Sequence, residues 1–385
     1  MLPCVERHPP TLPIIVTPPV AQAHTGAPWP KPLFAAMLAL LTVQISAAQC
    51  ALLTTAERGR LIGLTRDNPV ARDEFHRLIA EADSALEDSP NPIRRIQTEG
   101  KLAGDPVKIA TAAALGDMRK LEALGYAYAI GGEPKYAAKA RAFILAWATT
   151  NQPTGDPIDE TNLEPLIVAY DLTLATFQND ARKGVDAYLR RLIQAERNAR
   201  QVTNNWQSHR LKIEGLAAYV LGDDDLIKMA VEGFKKQIGQ NLRPDGSSLD
   251  FVERDALHYH VYDLEPLLAL AIASHKHGLN LYDYTSPSGA SLRKSVHFLV
   301  PYCTGEKQHH EFVNSTVRFD RERAANGEKG YQIGHLFRPE EGLKALSLAA
   351  YFDETVDPVV REISVQNRNL MVSWILLLDS AERAK

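Results

Sequence analysis

The chain has 385 residues, of which 45% are hydrophobic and 23% charged, with a formal net charge of −4. This is a globular composition, long enough for one large helical domain or two ordinary ones. The slight acidity excludes a surface built to attract polyanions, so nucleic acid is not an expected partner, and any acidic ligand must be met by a local cluster of cations.

The first thirty residues carry Pro3, Pro9, Pro10, Pro13, Pro18, Pro19, Pro28 and Pro30, a density that does not build a packed core. Lys31 then precedes the apolar run from Leu33 to Ile45, which is short for a membrane span, and Ser46, Ala47 and Ala48 follow it. Residues 1–48 therefore read as a proline-rich leader and a secretory signal peptide cleaved after Ala48. Residues 49–385 read as one domain. The expectation is a periplasmic or secreted monomer without stable membrane insertion once the signal is removed. Cys4, Cys50 and Cys303 lack disulfide or metal spacing, and Gln49 sits where a lipoprotein signal at Cys50 needs a small residue.

Beyond residue 52 the apolar period is helical. Met118, Leu121, Leu124 and Tyr128 form one stripe ended by Gly131-Gly132, and Tyr136, Ala140, Phe143, Ile144 and Trp147 form the next, begun by Glu133-Pro134. The two predict a helical hairpin. Leu163 to Leu174 and Val185 to Ala199 predict a second, while Ile213 to Val220, stopped by Gly222, and Leu226 to Ile238, capped by the Asp223 run, predict a third. No alternating strand run interrupts residues 110–242. Hairpins of this kind bury their stripes on one another in an arc or ring, leaving a cleft at the rim where their loops gather.

One such loop, Asn241 to Phe251, leads into Arg254-Asp-Ala-Leu-His258-Tyr259-His260-Val-Tyr262. Leu264 to Ile272 then resume a helix, and Pro266 is expected only near its first turn. If the segment is helical, Arg254, His258 and Tyr262 share a face; if extended, His258, His260 and Tyr262 do. Upstream, Asn204-Asn205-Trp206-Gln207-Ser208-His209 adds two amides and an imidazole. A cation, amides, imidazoles and phenols beside a helix N-terminus suit a sugar carboxylate and one proton transfer.

These residues carry a resemblance. The stretch from about Leu115 to Phe352 resembles the alginate lyase family of polysaccharide lyases, through Tyr259-His260-Val261-Tyr262 with its following Leu-x-Pro-Leu, the Asn204-Asn205 pair and the Gly132 to Trp147 helix. The resemblance implies an all-α fold, an incomplete (α/α) toroid of helical hairpins around a substrate cleft. It implies β-elimination on a uronic-acid polysaccharide such as alginate, with Tyr262 in proton transfer and Asn205 and Arg254 near the substrate carboxylate. The sequence departs from the family pattern at Trp206, which stands where the family has histidine. His209, one turn beyond Asn205, is the candidate replacement, with His209 or His260 adjusting the ionisation of Tyr262.

Expected substrate contacts are Asn204, Trp206, His258, Tyr259 and His260, with Arg318 and Arg321 from the run Arg318 to Arg323 meeting neighbouring carboxylates. Arg94, Arg95 and Lys101 are candidates for a lid over an anionic chain. The bland readings stand beside these: Asn204 as a cap, Arg254 paired in solvent with Glu253 or Asp250, and the 318–323 run as a solvated helix face. The histidine pairs lack a third ligand nearby, so neither metal nor other cofactor is expected. Two rival functions follow: a toroid glycoside hydrolase using two of Asp250, Glu253, Asp255, Asp263 and Glu265, or a periplasmic polysaccharide-binding protein without a base.

Overall fold

The computed structural model describes residues 50–366, so the leader and signal assigned to residues 1–48 lie outside the described residues. The helices are α1 (Thr55–Asp67), α2 (Pro69–Glu87), α3 (Pro106–Gly131), α4 (Pro134–Thr150), the single-turn α5 (Pro157–Glu160), α6 (Glu164–Thr173), α7 (Asn179–Asn198) and α8 (Asn205–Leu221). They continue with α9 (Asp224–Asn241), α10 (Leu249–Arg254), α11 (Leu257–Lys276), α12 (Leu292–Cys303), α13 (Arg318–Ala325), α14 (Leu343–Ala350) and α15 (Asp357–Gln366). Among the described residues the only β pairing is three isolated bridges.

The boundaries follow local chemistry. Asp105 caps α3 by accepting from the N–H groups of Val107 and Lys108, and Pro106 fills the first helical position. Gly132 ends α3 in the left-handed region at φ 78°, which a residue with a Cβ resists. Gly222 ends α8 in the same region, and the Asp223 side chain then caps α9 through the Leu226 N–H. Along α7, Val185, Tyr188, Leu189, Leu192 and Ile193 make one buried stripe, and the opposite face is charged.

These stripes assemble into an incomplete (α/α) toroid. The inner helices α3, α6, α8, α11 and α14 each pack on the next, and α4, α7, α9 and α12 back them from outside. The core lies between the layers, where Leu121, Phe143, Trp147, Ile167, Tyr170 and Leu189 are buried. Each such side chain contributes about 1.5–3 kcal/mol of transfer free energy. Gly125 lets α3 approach α6 closely, since a Cβ there would sit 3.1 Å from the Ala169 Cα.

The start of the described chain is tied to α6 and to the end of α11. Asp171 accepts from the N–H groups of Ala51 and Leu52 at 2.9 and 2.8 Å. Lys276 donates to the Leu52 carbonyl at 2.7 Å and pairs with Glu57 at 3.1 Å.

One boundary corrects the sequence reading. α11 starts at Leu257, so Pro266 lies in its interior rather than its first turn. α10 stops at Arg254 and Asp255 turns to φ 49°, so Arg254 does not share a continuous helix face with His258 and Tyr262.

Candidate active site

α11 positions the central side chains. Its N-cap, Ala256, has no side chain to offer; instead the Glu311 carboxylate accepts from the N–H groups of Leu257 and His258 at 2.8 and 3.0 Å. One turn apart on that helix, the His258 and Tyr262 rings lie nearly parallel, 8° between planes and 6.5 Å between centroids. Tyr259 packs edge-on to His258 and Phe312, and Tyr331 closes on His258 at 5.6 Å. His260 points elsewhere. Its Nδ1 lies 3.0 Å from the Ser248 hydroxyl and its Nε2 3.0 Å from the Ser295 carbonyl, in full burial, so it locks α11 to its neighbours and does not adjust Tyr262.

His209, from α8, is the imidazole that does meet Tyr262, with ring centroids 4.2 Å apart. Its Nδ1 lies 2.8 Å from the Thr161 hydroxyl. Its buried Nε2 has no hydrogen-bond partner, and the nearby Tyr262 backbone carbonyl acts to favour its protonated form. That carbonyl is open for a reason written in the sequence: its helical donor would be the N–H of residue 266, and proline has none. Burial, then Lys212 and Lys344, hold the His209 imidazole well below its usual range. Burial likewise pulls His258 down to about 4, with Arg323, His335 and Arg254 adding to it. Tyr262 thus sits between two neutral imidazoles. Its own phenol is pushed up by burial, then by Tyr331 and Glu265, while Arg323 acts in the opposite direction.

The other expected site residues are placed as follows. Asn205 is buried, its N–H 2.7 Å from Asp250 and its side-chain amide bonded to the same carboxylate. Arg254 donates to Asp320 at 2.6 Å and lies 3.8 Å above the Tyr259 ring, a largely buried pair rather than the solvent contact with Glu253 or Asp250. Asn204 holds the N-cap position of α8 without capping it, and its side-chain oxygen is buried without a partner. Trp206, two residues into α8, is half-buried. Arg318 is 88% exposed and pairs with Glu322, which makes it a solvated residue; Arg321 donates to the Ser315 carbonyl. Arg94 is held by Gln152 at 2.8 Å and Lys101 lies 3.9 Å from Asp105.

Against this geometry, the family model described as alginate lyase matches residues 69–310. The chain belongs to the alginate lyase family. It is therefore a polysaccharide lyase, a carbon–oxygen lyase. Among solved structures it is similar to an alginate lyase from Bacteroides ovatus, with 19% identity over 87% of this chain and 99% of that one at a TM-score of 0.65. It is also similar to alginate lyase A1-III from Sphingomonas species A1, with 18% identity over 68% of this chain and 80% of that one at a TM-score of 0.55. A tyrosine-to-phenylalanine variant of that enzyme, complexed with a tetrasaccharide, matches with the same identity, coverage and score. No curated protein matches.

Of the five carboxylates that a hydrolase could pair, Glu253 is exposed and the other four are engaged elsewhere. Asp263 is fully buried between Ser208 and Asn241, Asp250 holds Asn205, Asp255 holds Asn314, and Glu265 pairs with Lys344 at 2.7 Å. Among the described residues no three His, Cys, Asp or Glu side chains converge as metal ligands, and no helix is long and apolar enough to cross a membrane. A cavity of about 370 Å³ opens on the opposite face of α8, lined by Arg197, Gln207, Glu214, Lys236 and Gln237, away from Tyr262. Sequence reasoning missed three members of the site: Thr161, which orients His209, and Arg323 and Tyr331. Tyr331 carried a faint signal as a tyrosine close behind the 318–323 run; Thr161 carried none.

Proposed function

We propose that this lyase cleaves an alginate-like uronan by β-elimination, with Tyr262 moving the proton. The contact between the Tyr262 and His209 rings supports this reading. In the reaction the C5–H bond gives its proton to the base and its electron pair to a new C4=C5 double bond; the C4–O bond breaks, and the leaving oxygen takes a proton. Tyr262 enters as the phenolate, takes the first proton, and as the phenol gives it to the leaving oxygen, which restores the phenolate. His209 and His258, both unprotonated at neutral pH, flank the phenol and position it without taking its proton, while the charge of Arg323 favours its phenolate. Neutralising the C5 carboxylate stabilises the enolate-like charge that builds in between.

The substrate is an anionic polysaccharide or its oligosaccharides, met by the protein as a monomer. Export to the periplasm or outside is proposed on Lys31, the apolar run 33–45 and the small residues before Gln49; a mature protein beginning with Met1 would refute it. The functional test is a screen of alginate blocks and glucuronan, following the ultraviolet absorbance of the unsaturated end. Wild type produces that absorbance and Tyr262→Phe loses about a thousandfold or more of it, the scale of a lost acid–base group. Full activity in Tyr262→Phe refutes the assignment, and products without the double bond refute elimination.

A further inference from the structure

Two guanidinium groups lie against Tyr259, and only one of them has a carboxylate in ion-pair contact among the described residues. Arg254 and Asp320 satisfy each other at 2.6 Å, and the second oxygen of Asp320 accepts from Ser315 at 2.7 Å. The Tyr259 hydroxyl reaches toward the same Asp320 at 3.5 Å. Arg323 lies on the other side of that hydroxyl, donating to it through Nη1 at 2.8 Å. Its guanidinium is clamped between two rings, 4.3 Å from Phe319 and 4.4 Å from Tyr331. No ion pair to Arg323 is found among the described residues, and its Nε–H is buried without an acceptor.

A guanidinium in that state is uncommon. A partly buried cation is normally matched by a carboxylate, and an aromatic clamp fixes its direction without neutralising it. Its charge acts on His258, Tyr259 and Tyr262, and on Glu99 as well. Glu99 feels the charge of Arg323, and Glu265 and Asp156 act on Tyr262, but none of them forms an ion pair with Arg323 among the described residues, so its guanidinium has no carboxylate in direct contact.

We propose that Arg323 is the residue that pairs with a substrate hexuronate carboxylate beside Tyr262, with Arg254 serving as the buried brace that holds Tyr259 and Asp320 in place. The assignment rests on the uronan-lyase reading but is tested separately from it. Arg323 also raises the acidity of the phenol it faces, so its loss affects turnover as well as binding.

The test measures binding of saturated oligouronates by calorimetry and eliminase turnover, on wild type, Arg323→Gln, Arg323→Lys and Arg254→Gln. A second substrate, the same uronan with its carboxyl groups methyl-esterified, keeps the C5 proton acidic but removes the charge. The expected result is that Arg323→Gln binds oligouronates at least about tenfold more weakly, the scale of one charge-assisted hydrogen bond. It also loses most of the wild-type preference for the free acid over the ester. Arg323→Lys falls between, because it keeps the charge and loses the planar clamp; should Arg323→Gln fail to fold, this intermediate loss decides. Arg254→Gln lowers the melting temperature and keeps the preference. Binding within twofold of wild type in Arg323→Gln, or a preference lost in Arg254→Gln instead, overturns the assignment. A wild type that binds oligouronates through Arg323 without producing the unsaturated end would refute the lyase chemistry and leave the binding assignment standing.

Discussion

Tyr262 and its imidazoles set a pH signature. His258 is drawn down from its ordinary value of 6.5 to about 4, chiefly by burial, so it stays able to accept a proton well into acid. Turnover at saturating substrate is expected to hold as pH falls through 6.5 and to drop only toward about 4; an acid limb centred near the ordinary histidine value would contradict this. His260, drawn down to about 4 by burial, carries a stability term of the same direction. A histidine with a folded pKa below its unfolded one is protonated first in the unfolded chain. Its contribution is thus complete above pH 6.5 and is lost as pH falls toward 4, on the order of 3 kcal/mol. Melting temperature followed against pH is expected to show a shallower acid slope in His260→Asn than in wild type. Glu311, raised to about 7 by burial, works in the opposite sense, favouring the fold as pH falls through 7.

At the scale of elements, α11 is the piece that makes the site, and its interior proline is its defining irregularity. Pro266→Ala returns a donor to the Tyr262 carbonyl and removes a residue that costs about 3 kcal/mol in an ordinary helix interior. The variant is expected to melt at a higher temperature and to turn over more slowly, because the carbonyl that engages His209 is drawn back into its own helix. Equal or faster turnover in a stabilised Pro266→Ala would show that His209 is positioned by Thr161 and packing alone. The element pattern was largely legible in the sequence: the 3.6-residue stripes, Gly132, Gly222 and the Asp223 cap name most hairpins before any coordinates. Propensity put Pro266 at a helix start because nothing local announces that Glu311, from a distant loop, will cap the helix two turns earlier. The residues of the centre were legible as types and only partly as partners. The Tyr262 and His209 rings meet, a contact that spacing along the chain does not announce, whereas choosing Arg323 over Arg318 and Arg321 requires the rotational phase of α13. That phase is set by Asp320 and Arg323 both turning toward Tyr259, a contact between segments sixty residues apart.

On the scale of the whole molecule, the toroid gives the lyase an inner row of helices, and the proposed site lies at the ends of α8 and α11 with loops beside it. The loop before α3 is fixed on the α5 side of the centre, where Asp159 accepts from the N–H groups of Thr98 and Glu99 at 2.6 and 3.0 Å. It is fixed again just past α13, where the Ala103 N–H donates to Glu328 at 2.8 Å and Asn326 donates to the Ala103 carbonyl at 3.0 Å. Thr161 and His209 lie beside the first anchor and Arg323 beside the second. A polymer meeting a strap held at both sides is fed through by its end, whereas a groove open along its length receives it anywhere. If the strap lies across the path of the polymer, wild type is expected to release short unsaturated pieces at the earliest times, with the mean length of the uncut polymer falling slowly. Glu328→Ala, which releases one exposed anchor, is expected to shift early products toward longer fragments and to make the viscosity of the polymer solution drop sooner for the same number of bonds cut.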